Sequence, residues 1–167
     1  MELANYITAL DNNTSDTLNL AKKCSNTQLH YSAEGKWSIL QILEHICIVD
    51  KVCIAIISRP ASENTSALTE IYGNEKLKDA LVTNRDRRIE SPEILKPKGG
   101  VTDVNEFEKM FLYQRNMLKQ NLTSGKIIVD NKIHKHPFLG DMTIADWLYF
   151  IVHHTQRHTE QIKEKCV

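Results

Sequence analysis

The chain has 167 residues, 21 basic and 21 acidic side chains, and a formal net charge of zero. Apolar residues make up 41% and charged residues 25%, ordinary values for one globular domain spanning 1–167, large enough to bury about two-thirds of its unfolded surface. Balanced charge excludes the electrostatic footprint of a general nucleic-acid binder and gives no reason to expect an anionic membrane partner, while only 6 Gly and 4 Pro argue against a turn-rich sandwich or barrel.

From Glu2 to Cys24 the apolar residues Leu3, Ile7, Leu10, Leu18 and Ala21 recur at helical period. This start has acids where a leader peptide needs bases, so a cytoplasmic protein is expected. Ser25 to Lys36 reads as a loop punctuated by Gly35. Ser38, with Gln41 three residues on, forms a capping-box pattern that opens a long helix. Arg59-Pro60 stops that helix after about Ser58. Its most apolar part, Ile46 to Ile57, is interrupted by Asp50 and Lys51 and is too short to span a bilayer. Leu43, Ile46, Cys47, Ile54 and Ile57 leave it apolar on nearly every side, which predicts a two-fold homodimer. Ala61 to Tyr72 is polar and irregular, Asn74 is placed to cap a short helix over Glu75–Asn84, and Glu90 to Gly100 is a loop.

Thr102 or Asp103 opens a third long helix that ends before Gly125. Its expected inner stripe is Phe107, Phe111 or Met110, Gln114, Met117 or Leu118, and Asn121. Ile127 to Gly140 reads as a long connection in which nothing supplies a second strand. Thr143, with Asp146, caps a last helix that runs to Lys165. The whole describes an all-α four-helix bundle with long crossovers and one short extra helix. Cys24, Cys47, Cys53 and Cys166 show no CxxC spacing and read as free thiols of a reducing compartment.

Placing each residue about 100° further round the last helix puts His154 and His158 on its core stripe with Trp147, Ile151 and Ile162. His153 falls on the opposite, outward side. His45 sits on the seam Ile42–His45–Val49–Val52 of the second helix. Three inward imidazoles are either hydrogen-bonded core residues or ligands of one metal ion, for which bundle interiors are suited. Glu44 is placed either to hold a ligand imidazole or to face solvent. Arg157 and Gln161 flank the histidine face, either as a substrate-orienting pair or as a solvated flank. Trp37 and Trp147 read as packing anchors. His134 and His136 lie in a connection and are expected to be exposed.

Two segments resemble the DinB-like superfamily. One is Glu34-Gly35-Lys36-Trp37-Ser38 with Gln41, Leu43 and His45. The other runs from Pro137-Phe138-Leu139-Gly140 through Thr143, Asp146-Trp147-Leu148 and His154-Thr155-Gln156-Arg157-His158 to Gln161-Ile162. The resemblance implies an up-down-down-up bundle with one divalent metal on His45, His154 and His158. Zinc or nickel suits three imidazoles, and iron or copper also fits. It further implies a metal-dependent enzyme acting on a small molecule, either a thiol S-transferase using a low-molecular-weight thiol or a hydrolase. The alternative is a non-catalytic metal- or ligand-binding stress-response module.

Overall fold

The computed structural model describes residues 1–60, 68–84 and 90–166. Part of the stretch expected to be irregular, 61–67, lies outside the described residues. Local chemistry sets the helix starts. Helix α3, Ile39–Ile57, begins at Ser38 with both hydrogen bonds of a capping box. The Gln41 amide donates to Ser38 Oγ at 3.2 Å, and the Ser38 amide to Gln41 Oε1 at 2.8 Å. Helix α6, Ile144–Lys165, repeats the device with Thr143 and Asp146. Helix α5, Val104–Thr123, is capped by Asp103, and α1 covers Leu3–Lys23.

Four local expectations are corrected. Residues expected in a loop form a five-residue helix α2, Asn26–His30, with its own Ser25–Gln28 capping box; one turn is too short to show a period. Helix α4, Gly73–Lys78, starts earlier than expected, continues as a wide π turn over Asp79–Thr83, and has Tyr72, not Asn74, at its cap. The buried face of α5 is Phe107, Phe111, Arg115, Leu118 and Leu122. Gln114 and Asn121 therefore give way to their neighbours, because Arg115 finds an acid inside. Finally, a second strand does exist. Strand β1, Ile133–His136, pairs antiparallel with β2, Gly140–Thr143, in the register Ile133↔Thr143. The hairpin was hidden because its second strand ends on the residue that caps α6.

The protein is mostly helical. Each of α5 and α6 packs against both α1 and α3, while α2 covers α3 and α4 covers α6. The apolar interior has two parts. One gathers Leu10, Val49, Leu118, Met142, Trp147 and Ile151; the other gathers Ala21, Leu43, Ile46, Phe107, Phe111 and Ile162. Leu43, Ile46, Cys47 and Ile57 are all buried by their own chain. Ile54 is half-buried and packs against the same core, so most of the apolar surface of α3 that suggested a second subunit is covered by its own chain.

A polar cross-brace ties the long helices. Arg115 Nε donates to Asp50 Oδ2 at 2.7 Å, Nη2 to Thr155 Oγ1 at 2.7 Å and Nη1 to Asn13 Oδ1 at 3.2 Å. Asp50 and Arg115 are 0% and 1% exposed. Cys24 and Cys166, expected free, form a disulfide with Cα atoms 5.5 Å apart, joining the ends of α1 and α6. Cys47 and Cys53 are free and buried. No described helix is long and apolar enough to cross a membrane.

Candidate metal centre

Helices α3 and α6 are neighbours, and their seams bring His45, His154 and His158 together. One ring nitrogen from each lies within 4.8 Å of the others, and all three residues are buried. The ring centroids of His45 stand 5.2 Å from His154 and 4.8 Å from His158. The i, i+4 spacing on α6 puts His154 and His158 side by side, with Nε2 atoms 3.2 Å apart.

Hydrogen bonds decide which nitrogens are available. His45 Nδ1 donates to the Leu95 carbonyl at 2.8 Å, which leaves Nε2 as a lone pair. His158 Nδ1 pairs with Gln161 Oε1 at 2.8 Å, again leaving Nε2 free of a proton. His154 Nδ1 is buried with no hydrogen-bond partner among the described residues. Burial pushes all three pKa values below the usual histidine range, and that of His158 to about 3. The rings are therefore neutral at pH 7, the form that binds metals.

The donor set fits a metal ion. Two nitrogens each about 2.0–2.1 Å from one tetrahedral ion lie about 3.3 Å apart, close to the separation seen between His154 and His158. Without a cation, His154 Nε2 and His158 Nε2 share one hydrogen bond, while His154 Nδ1 stays buried without a partner among the described residues, at a cost of about 1–3 kcal/mol. Among the described residues no fourth His, Cys, Asp or Glu joins the cluster. A site with three protein ligands keeps a position open, as catalytic centres do.

The centre borders a cavity of about 920 Å³. Its wall includes Trp37, Val49, Val52, Phe150, Arg157 and Gln161. Trp37 packs 4.9 Å from His45, and Phe150 lies nearly parallel to His154 at 5.4 Å. Trp147 is fully packed and donates from Nε1 to the His134 carbonyl. Arg157 donates to the Leu81 carbonyl from the cavity wall.

Several expectations for single residues need correction. Glu44 does not touch a histidine; its carboxylate accepts the backbone amides of Lys98, Gly99 and Gly100, each at 2.9 Å. Orientation of His45 comes instead from the Leu95 carbonyl, which no sequence pattern marks. His153 does point away from the cluster, but not into solvent. It is 5% exposed, and its Nε2 pairs with Asn74 Oδ1 at 2.8 Å under α4. His134 is buried, and its Nε2 has no hydrogen-bond partner among the described residues. His136 is half-buried on the cavity wall rather than exposed.

A mostly helical chain carrying three convergent imidazoles beside a cavity between its helices is thus a candidate metalloprotein. The chain belongs to the DinB superfamily, whose sequence profile matches residues 9–162. It is similar to the uncharacterized protein YuaE of Bacillus subtilis (strain 168), at 25% identity over 150 residues, covering 89% of this chain and 90% of that one. No solved structure matches the chain.

Proposed function

We propose that the cavity is the active site of a metal-dependent enzyme. His45, His154 and His158 hold one divalent ion, zinc or nickel ahead of iron or copper, and the substrate is a small molecule. The observation that carries this reading is the set of three buried, neutral imidazoles with no fourth protein ligand among the described residues. A bound divalent ion supplies Lewis acidity and lowers the pKa of a thiol or water that it holds. The chain contributes orientation and exclusion of water. Leu95 and Gln161 fix two imidazole tautomers, while Trp37 and Phe150 shield the rings. Cys53 lines the cavity, but burial pushes its thiol well above the usual range, so it stays protonated. The nucleophile therefore comes from outside: a low-molecular-weight thiol for S-transfer, or water for hydrolysis.

Elemental analysis of protein made without an affinity tag tests the metal, with about one ion per chain expected. Metal-loaded protein incubated with monochlorobimane and a panel of small thiols tests the transfer branch. Rates equal to the protein-free control with every thiol leave hydrolysis as the reading. Filling of the open position by another protein group would instead favour the non-catalytic binding module. The same proposal carries the up-down-down-up order of the long helices and a cytoplasmic location. The homodimer stays part of the proposal, with Ile54 the half-buried residue of α3 left to meet a second copy, and light scattering across concentrations tests whether the mass exceeds that of one 19.2 kDa chain.

A further inference from the structure

His136 ends β1 on the cavity wall, on the Trp147 side of the histidine cluster. Its Nδ1 accepts two backbone amides, from Phe138 and Leu139, each at 3.1 Å. A nitrogen that receives two N–H groups cannot itself carry a proton. The ring is therefore neutral, with its hydrogen on Nε2. Aromatic packing fixes the ring: its centroid lies 5.1 Å from Trp147 and 4.9 Å from Phe150. Phe150 in turn stacks on His154. Both interactions at Nδ1 are satisfied within the hairpin, while Nε2–H has no hydrogen-bond partner among the described residues.

We infer that His136 is a substrate-binding residue, a pre-oriented neutral donor that receives a carbonyl-type oxygen of an otherwise apolar ligand. The inference rests on the cavity being the substrate site proposed above, and not on the identity of the metal. What touches the His136 ring in the cavity is apolar: Trp147 and Phe150 pack on it and Leu139 adjoins it, while Val52 and Ile56 also line the cavity. An anion placed there would be stripped of water with only one neutral donor in return, which is unfavourable. Of the cavity's cations, Arg157 and Lys165 stand further along α6, beyond His154, and Lys36 adjoins Trp37, which packs on His45. A ketone, ester or amide oxygen needs one donor and suits one donor. The separation of roles also suits the metal reading: the reacting atom sits at the imidazoles, and the carbonyl group is held one aromatic ring away.

The test is a matched pair of ligands, 2-propionylnaphthalene and 2-propylnaphthalene, competing against the fluorescent ketone prodan. Binding is measured on metal-stripped and on zinc-loaded protein. Wild-type protein should favour the ketone by about tenfold, the usual return on one added neutral hydrogen bond in a dry site. His136→Asn keeps an oxygen acceptor near the Nδ1 position but withdraws the donor. It should abolish the preference and leave the hydrocarbon's affinity within about twofold. His136→Phe keeps the ring packing and should do the same, so a folding defect in one variant does not decide the matter. A ketone preference that survives both substitutions, or no saturable binding of either naphthalene, overturns the proposal. Metal content, measured separately, decides the metal reading, so the two can fail independently.

Discussion

Two buried polar clusters meet on neighbouring residues of α6. Thr155 faces Arg115, Asp50 and Asn13, while His154 faces His45 and His158. In the first cluster each guanidinium nitrogen has an acceptor, and Arg115 also lies over the Phe111 ring at 4.5 Å. In the second, His154 Nε2 and His158 Nε2 share one hydrogen bond, and ring nitrogens from three histidines converge with no acid among them. Each cluster also holds one buried atom without a partner among the described residues, Asp50 Oδ1 in the first and His154 Nδ1 in the second. Charge pairing and access distinguish them. The first pairs a cation with an acid inside the packed interior and braces the helices; the second gathers neutral rings on the wall of a cavity, where there is room for an outside partner.

The contrast is broken most strongly at Arg115. Arg115→Ala leaves Asp50 buried without its cation and should cost about 3–5 kcal/mol of stability, read by urea denaturation. Adding Asp50→Leu to Arg115→Met should recover much of that loss, because an apolar pair needs no compensation. If Arg115→Ala costs less than about 1 kcal/mol, the brace is not structural. At the other cluster the signs reverse. His158→Ala should lower metal affinity by at least about a hundredfold while circular dichroism stays helical, since a ligand has gone and a buried polar group has gone with it.

pH gives a third test. His158 has its pKa pushed down to about 3 by burial, and His154 is pushed well below its usual range. The unfolded chain takes up protons near pH 6.5; the folded chain resists until far lower. Metal-free protein should therefore have its full stability above pH 6.5 and lose it as pH falls toward 3, by about 1.4 kcal/mol per pH unit for each histidine. In His158→Ala the denaturation midpoint should fall less steeply over pH 7 to 4. The smallest effect is expected at Gln161, which holds His158 from outside the cluster. Gln161→Leu should weaken metal binding by about tenfold, measured by calorimetry, with the ligands still in place.

The convergence of the three histidines was legible because helical periodicity fixes the face on which a residue lies, and His45, His154 and His158 share inward faces. Periodicity says nothing of what covers a face. His153 was placed on the correct side of α6, yet α4 and Asn74 lie over it. The long helices could be read from their caps, Ser38, Asp103 and Thr143, because a cap is a local bargain between residues three apart. Contacts between distant segments left no such trace. Leu95 meets His45 through a backbone oxygen, which any residue could supply. Cys24 and Cys166 are separated by 142 residues and carry no spacing signature. Arg115 was left off the expected inner stripe of α5, because nothing local to that helix marks Asp50 as lying opposite it.

Two carboxylates give the cavity a modular construction. Glu44, beside His45, gathers the amides of Lys98, Gly99 and Gly100. Asp146, two turns before His154, gathers those of Ile71, Tyr72 and Gly73. Both sets of amides belong to the one connection between α3 and α5, which is thus pinned at two points to the two helices that carry the imidazoles. A Cβ at position 100 would stand 3.2 Å from Glu44 Oε1, so the first pin also has little slack. Between pins, that connection supplies rim residues such as Leu81, Glu90 and Pro92. Sequence drift in that span can reshape what enters the cavity while the imidazoles keep their spacing, so that new ligand preferences can arise on an unaltered histidine frame.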